Sequence, residues 1–201
     1  MYSNDAGSPT NFIDRYDELD VIQVLLDSIE RGETIQFPLR EYIGIGGIGK
    51  TALLKEIIQE SNKKKIANVF IDYKVIDDNN PYIVVKRILK KLLEFANFSE
   101  VTSEMVDKLI ENLPVNVDEN INTPYVPNQL VKVFEDKSGV IIFDSLNLAS
   151  AASLSILGNE LIFPISQCNK TLILIGSRSR VDWGKSKYRL WRRTKSTALL
   201  T

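Results

Sequence analysis

The stretch Gly44-Ile-Gly-Gly-Ile-Gly-Lys50-Thr51 constrains this chain more than any other. It fits the spacing G-x-x-x-x-G-K-[ST], in which each residue type has a physical task. Glycines reach backbone conformations closed to other residues, so successive N–H groups can converge on one point. A helix beginning at Lys50 directs its positive dipole end to that same point. Such a cradle takes phosphate. Lys50 is placed to reach the β- and γ-phosphates, and the Thr51 hydroxyl to ligate Mg²⁺. A bare glycine turn would satisfy the spacing as well, but the setting argues against it. An apolar-ended strand over 39–43 leads in, and a helix over 50–60 leads out, amphipathic through Leu53, Leu54, Ile57 and Ile58. The ligand expected is a nucleoside triphosphate, ATP or its product ADP, with Mg²⁺.

Around this loop the apolar pattern alternates between helix and strand. Asp14 caps a helix predicted over 15–31, with Leu19, Ile22, Leu25, Leu26 and Ile29 on one stripe and Gly32 as its stop. Residues 66–73, rich in Val, Ile and Phe, read as a second strand. Asn80-Pro81 opens a helix that buries Val84, Val85, Ile88, Leu89, Leu92 and Leu93 and leaves Lys86, Arg87, Lys90 and Lys91 outside. A helix over 103–113, a proline- and asparagine-rich loop over 114–127 and a helix over 128–136 follow. Strands at 139–144 and 171–176 enclose a helix at 149–161, and Ala198-Leu-Leu-Thr201 reads as the beginning of one more strand. Residues 1–10 are small and polar and are expected to be disordered, which leaves 11–201 as one domain. Alternating strands and helices mean an α/β fold with a parallel sheet. Arg40 and Glu41 sit badly in this scheme, because they interrupt a strand that should be buried.

Three further groups of residues bear on function. Val140-Ile-Ile-Phe-Asp144 is a buried strand ending in a carboxylate, the arrangement that holds Mg²⁺ beside a phosphate loop. The next residue is Ser145 rather than a second acid, so hydrolysis is expected to be slow, with Ser145 and Asn147 able to hold a water. Thr171 to Arg178 is a buried strand ending in a cation; beside the P-loop strand, Arg178 would meet the γ-phosphate and separate ATP from ADP, the alternative being that it only begins a solvated basic loop. Ahead of the loop, Phe12 and Ile13 can pack on an adenine ring or serve as an apolar staple at the helix start, and Arg15 can reach the phosphates.

Composition narrows the alternatives. The chain has no histidine and one cysteine, Cys168, which excludes histidine-based acid–base chemistry, a Cys/His zinc site and an internal disulfide. A reducing, cytoplasmic compartment is expected. No apolar run approaches the roughly 18 residues of a membrane span. Residues 178–195 hold eight basic side chains and one acidic, a local +7 within a chain of net −1. Together with Trp183, Tyr188 and Trp191, that block offers nucleic acid a phosphate-and-stacking surface, although docking to another domain explains it equally well.

With these residues in view, the chain resembles the nucleotide-binding domain of STAND-class NTPases, the NB-ARC and NACHT relatives of the AAA+ proteins. The resemblance rests on Phe12-Ile-Asp-Arg15, on Gly44 through Leu53, on Val140 to Asp144 and on Leu172 to Arg178, in that order. It implies a three-layer sandwich with a parallel sheet in the order 5-1-4-3-2. It places adenine near Phe12 and Ile13 and the nucleotide on Gly44, Gly46, Gly47, Ile48, Gly49, Lys50, Thr51 and Ala52. Mg²⁺ would lie by Thr51 and Asp144. Lys50, Asp144 and Arg178 would be the residues acting on the phosphates. Relatives of this kind continue into helical and winged-helix lids, so the chain is read as a fragment cut near its last strand. The function implied is an ATP/ADP switch with weak hydrolysis that governs signalling or assembly with a protein partner or with itself. An AAA+-like ATPase acting on nucleic acid, held as the lesser reading, and a non-hydrolysing nucleotide scaffold are the alternatives.

Overall fold

In the computed structural model of the protein, residues 15–76, 81–95, 100–113, 125–183, 190 and 192–199 are described. Their five strands form one parallel sheet in the order β2-β3-β4-β1-β5. These are β1 (Leu39–Ile43), β2 (Asn68–Asp72), β3 (Gly139–Asp144), β4 (Thr171–Ser177) and β5 (Thr194–Ala198). Read from the other edge, this is the order 5-1-4-3-2. The interior strands β3 and β4 are buried along their whole length, as their unbroken apolar sequences require in a parallel sheet covered on both faces.

Alternation along the strands divides the core into two layers. Val140 and Ile142 face one side with Tyr42, Leu172 and Leu174, and there they meet α1 (Tyr16–Glu30) and α2 (Lys50–Lys63). Ile141 and Phe143 face the other side with Leu39, Ile173 and Ile175. That side is covered by α3 (Pro81–Leu92), α4 (Glu100–Glu111), α5 (Tyr125–Phe134) and a run comprising α6 (Ala151–Ile156), a π-helical turn (Leu157–Ile162) and α7 (Phe163–Gln167). The result is a three-layer α/β sandwich. No helix among the described residues is long and apolar enough to cross a membrane.

Several boundaries differ from expectation, each for a local reason. β1 does contain Arg40 and Glu41, and Glu41 is 2 % exposed because neighbouring segments bond its carboxylate. β5 begins at Thr194, so Ala198 is its last residue rather than the first of a strand. An edge strand with half-exposed faces needs no apolar run, which is why Thr-Lys-Ser-Thr-Ala does not announce itself. α5 starts at Tyr125, inside the segment read as loop, because Pro127 falls in its first turn, where no N–H is needed. The helix expected over 149–161 continues to Gln167. Pro164 cannot donate to the carbonyl four residues back, and the backbone widens into the π turn just before it. Residues 1–10, Phe12 and Ile13 lie outside the described residues.

Candidate functional site: a phosphate cradle at the carboxyl edge of the sheet

The four strands β1 to β4 end at one level: Ile43 pairs with Ser177, and Asp72 with Asp144. Parallel sheets place their ligands at this edge, where helix N-termini and strand ends converge. Between β1 and α2 the glycine loop folds as its sequence demands. Gly47 and Gly49 have φ of 84° and 93°, a region in which a Cβ clashes with its own backbone. Gly49 is the N-cap of α2, so the open N–H groups of Lys50, Thr51 and Ala52 sit at the positive end of that helix.

The side chains around the loop are held by short contacts. Lys50 folds back and donates to the carbonyls of Gly44 (2.6 Å) and Ile45 (2.8 Å). Thr51 Oγ1 donates to Asp144 Oδ2 at 2.6 Å, which joins the helix start to the end of β3. The other carboxylate oxygen of Asp144 accepts the Ser145 N–H at 2.8 Å. Asp144 is 1 % exposed, and Ser145 adopts a left-handed φ of 58° to turn the chain away beneath it. A hydroxyl and a carboxylate this close form the hard-oxygen pair from which Mg²⁺ takes its one or two protein ligands in phosphate sites. The donor set therefore fits the cation.

Arg178 follows β4 directly, and β4 lies beside β1, so Arg178 stands at the same edge of the sheet as the glycine loop. Its guanidinium lies 3.9 Å from the point where a side chain at Gly46 would begin. The Asn147 side-chain carbonyl accepts the Arg178 backbone N–H at 3.1 Å; Asn147 was expected to hold a water and here holds the arginine's backbone. Gly46, Gly47, Gly49, Lys50, Thr51, Asp144, Ser145, Asn147 and Arg178 line one cleft of about 340 Å³.

Lys74 and Leu148 line the same cleft, and the sequence had marked neither. Lys74 stands in the turn after β2, where its N–H donates to Asp72 at 2.9 Å. No motif flags it, because only the pairing of β2 with β3 carries that turn to the loop. Three cations, Lys50, Lys74 and Arg178, thus share the cleft. Burial holds the Lys50 ammonium below its usual range; Asp144 opposes that shift, and Arg178 and Lys74 add to it. A polyphosphate entering the cleft relieves this crowding of positive charge.

The remaining expectations fare unevenly. Arg15 reaches the loop through the Ile48 carbonyl, to which it donates at 3.1 Å, with Glu18 at 3.6 Å. In the basic block, Trp183 is 1 % exposed and packed in the core, so it offers no face for stacking. Arg193 is half-buried and donates to the Ser166 carbonyl and the Asn169 side chain. Arg178, Arg180, Arg192 and Lys195 remain exposed, while Tyr188 and Trp191 lie outside the described residues. A larger groove, about 750 Å³, runs along β2 and α3, but no phosphate loop or carboxylate–hydroxyl pair borders it.

No protein-family model matches the sequence, and no curated protein matches it either. Solved structures do match. Cdc6p from Pyrobaculum aerophilum superposes with a TM-score of 0.58 at 13% identity, over 96% of this chain and 47% of that one. Drosophila ORC bound to DNA gives 0.56 at 16% identity, over 94% and 43%. Aeropyrum pernix ORC1 in complex with DNA gives 0.52 at 15% identity, over 93% and 45%. The chain spans less than half the length of each. At such identities the likeness is one of fold, that of a P-loop NTPase.

Proposed function

We propose that residues 11–201 form a nucleotide-binding domain that takes ATP or ADP with Mg²⁺ and works as a switch between the two. The observation that carries this reading is one cleft in which Lys50, Lys74 and Arg178 face the Thr51–Asp144 pair over the N-terminus of α2. When triphosphate enters, Lys50 exchanges the carbonyls of Gly44 and Ile45 for phosphate oxygens, and the loop N–H groups and the helix dipole bind the remaining charge. Thr51 and Asp144 would hold Mg²⁺, which neutralises charge on the β- and γ-phosphates. Arg178, fixed by Asn147, meets the terminal phosphate and so reports its presence. The difference between ATP and ADP then governs assembly with a protein partner or with a second copy, in the manner of STAND-class switches.

Turnover in this reading is slow. Ser145 follows Asp144, and the carboxylate in register with Asp144, Asp72, is already engaged by the Lys74 N–H. The test is thermal stability with ATP, ADP, GTP or no nucleotide, in Mg²⁺, for the wild type and Lys50→Ala. Ligand at about one hundred times its Kd adds about 2.7 kcal/mol, a shift of several degrees. An adenine-selective shift that vanishes in the variant is expected; a folded wild type with no shift sinks the reading.

A second reading, an ATPase acting on nucleic acid, has two supports. Two of the three solved structures described above are complexes with DNA, and among the described residues of the basic block four cations are exposed. DNA-stimulated hydrolysis that weakens steeply with salt selects it over the switch.

A further inference from the structure

Glu41 is a buried carboxylate for which nucleotide binding itself has no use. It lies in β1, three residues before the glycine loop, and faces the layer opposite to α2, so it does not border the cleft. Burying a carboxylate is costly unless its oxygens are bonded, and a strand position flanked by Leu39 and Tyr42 would be filled more cheaply by valine or isoleucine. The bonds it makes explain the choice. Glu41 Oε1 accepts the Val181 N–H at 2.6 Å and lies 3.4 Å from the Ser177 hydroxyl. Glu41 Oε2 accepts from the Ser196 hydroxyl at 3.2 Å, and Ser196 in turn accepts from the Arg180 guanidinium at 3.2 Å.

Those partners bracket the segment that holds Arg178. Ser177 and Val181 are the two ends of the short segment that carries Arg178, and Ser177 also donates to the Ser179 carbonyl at 2.6 Å inside it. The register makes the arrangement possible. Ser196 sits directly across from Glu41 on β5, and Ser177 lies across from Ile43, the next residue of β1 on the same face. One carboxylate therefore holds the Val181 end of the Arg178 segment and ties it to β5, while the single Ser177 hydroxyl hydrogen closes the other end on the Ser179 carbonyl. The chain continues from β5 along β1, where the Leu199 N–H donates to the Ile43 carbonyl at 2.7 Å.

We propose that Glu41 is a positioning residue for γ-phosphate sensing: it fixes the Arg178 segment against β1 and couples its position to β5. This rests on the reading of Arg178 as the group that meets the terminal phosphate, and it adds the device by which that contact reaches the edge of the sheet. With the clamp intact, Arg178 is held ready beside the loop. Without it, the segment keeps its Asn147 contact but loses its fixed Val181 end, and preference for ATP over ADP declines while the phosphate cradle still binds ADP.

The experiment measures Kd for ATP and for ADP, with Mg²⁺, in wild type, Arg178→Ala, Glu41→Ala, Glu41→Gln and the double variant Glu41→Ala/Arg178→Ala. Arg178→Ala is expected to lower the ATP-over-ADP preference by about tenfold, the size of one charge-assisted bond. Glu41→Ala should lower it by a similar factor at unchanged ADP affinity, and the double variant should be no worse than Arg178→Ala alone. Glu41→Gln should restore most of the preference, since its amide accepts from Val181 and donates to Ser196. Glu41→Val serves the same comparison if the alanine variant does not fold. A preference that falls in Arg178→Ala but not in Glu41→Ala, or additive losses, overturns the role of Glu41 and leaves the ATP reading standing. No effect in Arg178→Ala removes the sensor reading and this inference with it. Hydrogen exchange on the wild type gives a check free of variants: a Val181 amide that exchanges as fast as an open loop contradicts the clamp.

Discussion

Gly176 takes no role of its own from the sequence, yet it occupies a tight point beneath the site. A Cβ placed there would lie 2.8 Å from Leu54 Cδ1 and 2.9 Å from Asp144 Oδ1, and both of those side chains are buried. Either Leu54 or Asp144 must move to admit it, and Asp144 is held by Thr51 and the Ser145 N–H. Gly176→Ala is therefore expected to cost about 1–3 kcal/mol of stability, the usual range for overpacking a filled core. Its sharper signature is functional. Displacing Asp144 by even a few tenths of an ångström loosens the Thr51 pair, so the stabilisation that Mg²⁺ adds to bound nucleotide should shrink more than the stabilisation by nucleotide alone. Melting curves with nucleotide, in Mg²⁺ and in EDTA, check this; equal losses in both would place the damage in the core and not at the cation site. Glu41 teaches the same lesson from the opposite side. In the sequence it looks like a fault in a strand, and it becomes intelligible only when the segment after β4 and the strand β5 supply donors from residues 140 and 155 positions away.

Legibility follows burial at the scale of elements. The strands β3 and β4 and the helix α2 carry unbroken apolar runs or clean stripes because both of their sides are covered, and the sequence reveals them and the ends that bear Asp144 and Arg178. The edge strand β5 has no such need and stayed hidden in a basic stretch. Lys74 was illegible for another reason, since its approach to the loop is made by the pairing of two strands far apart in sequence. The π turn between α6 and α7 was hidden as well, although Gly158 and Pro164 mark the place once the geometry is known. It also creates a titratable group of note. Glu160 lies half-buried in that turn, and burial pushes its carboxyl from an ordinary value of 4.5 up to about 7. The folded state thus keeps a proton that the unfolded chain releases, so stability is greatest at low pH and falls as pH rises from about 4.5 through about 7. Solvent access to the half-exposed group limits the effect to roughly 1 kcal/mol. Glu160→Gln should remove that slope: its melting temperature should vary less than that of wild type between about pH 5 and about pH 8 and lie higher at the upper end. A wild type and variant with parallel pH profiles would show that Glu160 titrates as a free carboxylate.

For the whole molecule, the sandwich divides labour between its two helical layers. The layer of α1 and α2 supplies the helix N-terminus and the Thr51 hydroxyl, whereas the layer from α3 to α7 supplies bulk that holds β3 and β4 in place. Every residue assigned to the cleft belongs to the carboxyl ends of β1 to β4 or to the segments immediately after them. Ligand binding should therefore stiffen one end of the sheet and leave the opposite end and most of the second helical layer unchanged. Hydrogen exchange with and without Mg²⁺–ATP measures this directly. Added protection is expected at residues 44–52, 144–148 and 177–181, with little at α4, at α5 or at the amino end of β2. The Val181 and Leu199 amides are the informative pair. Protection at Val181 alone would mean that the Arg178 segment responds locally. Protection at both in wild type but at Val181 alone in Glu41→Ala would mean that the response travels through Glu41 to β5; protection at both in that variant would assign it to the Leu199–Ile43 and Arg180–Ser196 bonds instead. Protection concentrated along the groove between β2 and α3 would contradict the assignment of the ligand to the glycine loop, since that groove shares no residue with the cradle.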